Sequence, residues 1–135
     1  MKIVARILAA LVGITGLIQI AIGILFWTGH ALPLIPLHMT MGIVFVAAMW
    51  ILGGLGFRAH LAMRSSIVLA WSLVVPALGM TQMQLFPGVN HWVVRVLHLL
   101  VGLIAMTLAG QLGARIAAFD AVSHPSRHAP LQARS

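Results

Sequence analysis

Acidic side chains are almost missing from this chain: Asp120 is the single Asp or Glu among 135 residues, against eight Lys and Arg. Cysteine is missing altogether, which removes disulfides, thiolate metal sites and quinone-reducing cysteine pairs. Lys, Arg, Asp and Glu are absent from Ile7 to Phe57, from Ser65 to Val94 and from Val96 to Ala114. With no carboxylate inside those runs, a proton-coupled exporter of the small four-helix kind is disfavoured, because its coupling needs a titratable acid. No nucleophile is paired with a base and no phosphate-binding loop is present, so a stand-alone enzyme is disfavoured.

What is present is apolar. Hydrophobic residues make up 61% of the chain, which leaves too little polar surface to clothe a soluble globule and points to an integral membrane protein. A bilayer core of about 30 Å takes about 20 helical residues, so the uncharged runs predict an all-α bundle of four transmembrane helices. The spans fall near 7–28, 36–57, 66–86 and 92–114, giving a membrane domain over 1–114 and a polar, basic tail over 115–135.

The formal charge of +7 does not indicate nucleic acid, because its distribution is topological. Lys2, Arg6, Arg58, Arg64, Arg115, Arg127 and Arg134 fall on one side of a chain that crosses four times, and Arg95 alone falls on the other. By the positive-inside rule both termini and the middle loop are cytoplasmic, in a bacterial inner membrane, with some attraction to anionic lipid. The apolar run after Met1 to Arg6 is long for a cleaved signal and is expected to stay as the first span.

Turn residues punctuate the spans. Pro33 and Pro36 separate the first two, with Pro36 suited to the first turn of the second helix. The glycines of Leu52-Gly53-Gly54-Leu55-Gly56 are expected to let the chain leave that helix. Pro76 should kink the third span, and Phe86-Pro87-Gly88-Val89-Asn90-His91 turns the chain into the fourth. Trp27 and Trp92 near one interface, and Trp50 and Trp71 near the other, form an aromatic belt with no chemistry assigned. His60 reads as a loop histidine, while His124 and His128 lie in the tail.

Two stretches stand out, Leu37-His38-Met39-Thr40-Met41-Gly42 and Leu97-His98-Leu99-Leu100-Val101-Gly102. Each places a histidine with a glycine four positions on, along one helical face. A shift of sixty positions superimposes them and also pairs Phe26 with Phe86, Leu52 with Leu112 and Gly53 with Gly113. A duplicated hairpin of this kind has a pseudo-two-fold axis along the membrane normal, with His38 and His98 at equal depth on either side of it. Ionisable residues inside a membrane are costly and functional by default, and two at matching depth suggest one shared partner.

Haem b needs two neutral imidazoles, an apolar slot, and cationic or hydrogen-bonding groups for its propionates. His38 and His98 would be the axial ligands. Gly42, Gly102, Gly23 and Gly79 would clear space for the ring, and Arg95, His30 and His91 would meet the propionates. On these residues the chain resembles the four-helix haem-binding core of membrane b-type cytochromes. That resemblance, carried by the two His-x-x-x-Gly stretches and the four-span layout, implies ligands from the second and fourth helices. With one histidine per ligand helix it supports a single bis-histidine haem, exchanging electrons with a quinone or a periplasmic redox protein.

Two other classes compete. Eight methionines, with Met39 and Met41 beside His38 and with Met80 and Met83 in the third span, offer thioether and imidazole ligands for Cu(I). Alternatively the chain is an accessory subunit of a larger membrane complex, or a homo-oligomer, with structural histidines.

Overall fold

A computed structural model describes residues 1–123, with side chains as far as Asp120. Four long helices carry these residues: α1 (Lys2–Trp27), α2 (Ile35–Arg58), α3 (Ala62–Thr81) and α4 (His91–Ser123). Each is long and apolar enough to cross a membrane. They run up and down, α1 packing on α2 and α4, and α3 on the other side of the same pair. The helices α2 and α4 also touch across the diagonal, so the two histidine-bearing helices are the ones that meet through the centre.

Helix ends depart from the expected spans where the sequence was read too locally. Arg6 and Arg115 lie inside α1 and α4, because a helix is not bound to end where its apolar stretch does. The helical part of the expected tail therefore reaches Ser123, with Ile116 and Ala117 buried; residues 124–135, including His124 and His128, lie outside the described residues. At the other end of the bundle α3 stops at Thr81, before the 86 expected, and the polar Gln82-Met83-Gln84 stretch forms turns. The helix passes through Pro76 without interruption.

The glycines of α2 are not exits. They lie within the helix, and Gly53 and Gly56 let α3 approach: a Cβ on Gly53 would come 2.8 Å from Leu69 Cδ2, and one on Gly56 would collide with Ser65 Oγ. The helix ends instead at Ala59-His60-Leu61. Leu61 N–H donates to Gly56 O at 2.9 Å and His60 N–H to Phe57 O at 3.1 Å, which satisfies carbonyls left over at the helix terminus. That cap requires the left-handed region at His60, whose φ is 58°. Its ring packs edge-on against Phe119 of α4, centroids 6.0 Å apart.

Packing is uneven along the bundle. The tight core gathers Ala5, Leu8 and Val12 of α1, Met49 and Leu52 of α2, Val68 of α3, and Ala109, Leu112 and Ile116 of α4. All of these belong to the half in which Lys2 meets Asp120. Small residues set the spacing there: a Cβ on Gly113 would meet Ala9 Cβ at 2.8 Å and Ala5 O at 3.2 Å. Asp120 accepts the Lys2 backbone N–H at 3.0 Å, pinning the start of α1 to the end of α4. On the α2–α3 face Trp50 Nε1 donates to Ser72 Oγ at 2.8 Å, and Ser72 in turn donates to Leu69 O. The half nearer the two hairpin loops is looser, and it is there that a pocket opens.

Candidate functional site

Helix α1 builds one wall of the pocket because its small and polar residues recur every three or four positions. Gly16, Gln19, Gly23 and Trp27 share a face, as the helical repeat requires. Opposite them stand His38 and Phe45 from α2, then Arg95, His98, Gly102 and Met106 from α4. The empty space, counted out to its open mouth, is about 610 Å³. Nothing lies within 4 Å of where a Cβ would stand on Gly23 or Gly102, so both glycines border free volume.

The two histidines face the same turn of α1. Gly42 approaches Gln19, and Gly16 approaches Met106, which fixes the antiparallel registers of α2 and α4 on α1. One turn up from Gly42 is His38, opposite Gly23; two turns up from Met106 is His98, opposite the same place. Both are half-buried, and in both Nδ1 is a buried atom with no hydrogen-bond partner among the described residues. Phe26 of α1 lies against His38, ring centroids 5.3 Å apart and planes inclined at 58°.

No protein family, curated protein or solved structure matches this chain. The pocket must therefore be read from its own residues.

Of the residues the sequence singled out, His38, His98, Gly23, Gly102 and Arg95 line one cavity. Gly42 and Gly79 do not line it. The space they leave is taken by protein: a Cβ on Gly42 would stand 2.9 Å from Gln19 Nε2, and one on Gly79 would stand 3.0 Å from His98 Cε1. Gly42 thus admits the Gln19 amide and Gly79 admits the His98 imidazole, instead of making room for a guest. His30 is exposed in the first loop, and His91, at the start of α4, has Nδ1 3.4 Å from Leu85 O; neither lines the pocket.

The methionines of the copper alternative do not converge. Met39, Met80 and Met83 are exposed, Met41 is half-buried, and none of the four lines the pocket, where Met106 is the one methionine. Among the described residues no three His, Asp or Glu side chains cluster to hold a metal ion. A bis-imidazole site needs only two.

The pocket departs from two-fold symmetry. Helix α1 supplies a whole wall, whereas α3 supplies Val75. The reason is the residue at equivalent positions: Gln19 corresponds to Gly79 under the sixty-residue shift, so one hairpin projects an amide where the other receives an imidazole. Gln19, Phe26 and Met106 were not legible as site residues. For Gln19 a signal existed, since it is the one carboxamide between Ile7 and Phe57.

Proposed function

We propose that the chain is a small b-type cytochrome of a bacterial inner membrane, with both termini cytoplasmic, holding one haem b between His38 and His98 and passing single electrons. The observation that carries this reading is the convergence of two histidines, sixty positions apart in sequence, on one largely apolar cavity that also receives Arg95. A charged or strongly polar side chain at such depth is expensive unless it has a partner. The residues fit the group. His38 and His98 would hold the iron through their imidazole nitrogens, with Gly23 and Gly102 bordering empty space beside the apolar walls.

When bound, the iron would supply a one-electron couple. The protein's part is to hold it and tune it: His38 and His98 present their nitrogens from α2 and α4, the two helices that meet across the diagonal. Phe26 restricts the ring of His38, and the backbone of Gly79 does the same for His98. Arg95, the only basic residue of the pocket, offers its guanidinium to carboxylates. A quinone or a periplasmic redox protein is the exchange partner this reading calls for.

The test is a dithionite-reduced minus oxidised absorption spectrum of the purified protein, with its haem-to-protein ratio. His38→Ala and His98→Ala should each abolish the haem bands, while His60→Gly should retain them. Equal haem retention in all three variants discards the assignment. A colourless protein with stoichiometric copper would replace it by the copper reading.

A further inference from the structure

Three buried polar atoms in or beside the pocket lack partners: Gln19 Oε1, His38 Nδ1 and His98 Nδ1. Their chemistry is complementary. A side-chain carbonyl only accepts, whereas an imidazole Nδ1 donates when it carries the ring proton. Leaving both unpaired in an apolar setting is costly, and native interiors avoid it.

Position selects His38 as the partner. Gln19 reaches α2 at Gly42, where the missing side chain admits its amide. His38 lies four residues away on the same face of α2, one helical turn of about 5.4 Å. Phe26, two turns above Gln19 on α1, holds the far side of the His38 ring. His38 thus stands against Phe26 and one turn from the level at which Gln19 meets α2. His98 is placed differently, with its Cε1 edge against Gly79 of α3.

We propose that Gln19 is a positioning residue: its side-chain carbonyl accepts the Nδ1–H of His38 and so fixes the tautomer whose bare Nε2 lone pair faces the cavity. A histidine used as a metal ligand is commonly held in this way by an acceptor on its other nitrogen. The pairing does not depend on haem. Its consequence for iron rests on the function proposed above, because the bond would raise the basicity of the His38 ligand.

The full chain, labelled with 15N-histidine and prepared both haem-free and haem-loaded in micelles, tests this. In the haem-free protein at a pH where the ring is neutral, His38, assigned by its loss in His38→Phe, should give separate signals for a protonated Nδ1 and a bare Nε2. Gln19→Met keeps the size and removes the acceptor, so the two signals should collapse toward an average while those of His91 and His98 stay in place. Gln19→Glu keeps an acceptor and should restore the separation. In haem-loaded protein Gln19→Met should raise the midpoint potential. An Nε2-protonated His38 in the unaltered chain, or signals unmoved by Gln19→Met, overturns the proposal. A fixed Nδ1–H tautomer in a chain that takes up no haem leaves it standing and removes the haem reading instead.

Discussion

Gly79 lies against the imidazole of His98, so that a Cβ on α3 at this point would stand 3.0 Å from Cε1. That separation is tight but not prohibitive, and the ring is a rigid body with a neighbouring cavity to retreat into. Gly79→Ala should therefore move His98 by a few tenths of an ångström and weaken ligand binding. Gly79→Val should displace the ring and cut the haem-to-protein ratio at least several-fold. Helical content by circular dichroism should persist in both. Undiminished haem in Gly79→Val would mean that His98 does not act from this position.

Filling the cavity separates binding from folding. Because a Cβ at Gly23 or Gly102 meets nothing within 4 Å, a side chain at either position starts unobstructed, and Leu there occupies the pocket. Gly23→Leu and Gly102→Leu should leave the thermal midpoint of the haem-free protein unchanged or raised, and should abolish binding of the guest. A fall in the haem-free midpoint would show that the cavity is closed in solution.

The adjacent glycines of α2 should behave oppositely. Ala at Gly53 would press on Leu69 at 2.8 Å, whereas Ala at Gly54 meets nothing within 4 Å. Gly53→Ala should lose about 1 to 3 kcal/mol through overpacking. Gly54→Ala should gain up to about 1 kcal/mol from helix propensity. Reversible unfolding in mixed micelles, comparing the two variants, reads the difference directly.

The bond from Trp50 Nε1 to Ser72 Oγ ties α2 to α3. Interhelical hydrogen bonds in membrane proteins average about 0.6 kcal/mol and reach about 1.7. Ser72→Ala should therefore cost about 1 kcal/mol, with Trp50→Phe restoring part of it in the double variant because no indole N–H is then left unpaired. Additive losses would indicate that the bond does not contribute.

His60 carries a φ of 58° at the cap of α2, a region that costs a side chain about 1 to 2 kcal/mol. Its ring contact with Phe119 offsets part of this. His60→Gly should be neutral or stabilising by up to about 1 kcal/mol in chemical unfolding, and a large loss would show that the Phe119 contact dominates.

The four helices were legible because runs of about 20 uncharged residues admit few alternatives. Their ends were not, since the sequence does not say whether a glycine terminates a helix or brings two together; Gly53 and Gly56 looked like exits and are contacts. The histidine pair was visible through its rarity and its sixty-residue spacing. The assignment of Gly42 and Gly79 to a guest failed to anticipate that Gln19 and His98 themselves would fill the gaps. Periodicity identifies which face a residue occupies, but competition for the volume beside it depends on side chains from other helices.

The main apolar core is concentrated at the end of the bundle where Lys2 meets Asp120. The segment from Ala5 to Val12 is clasped there by α2 and α4, while the opposite ends of the same helices border the pocket. The residues that hold the bundle together and the residues that form the pocket are thus largely different stretches of the same four helices.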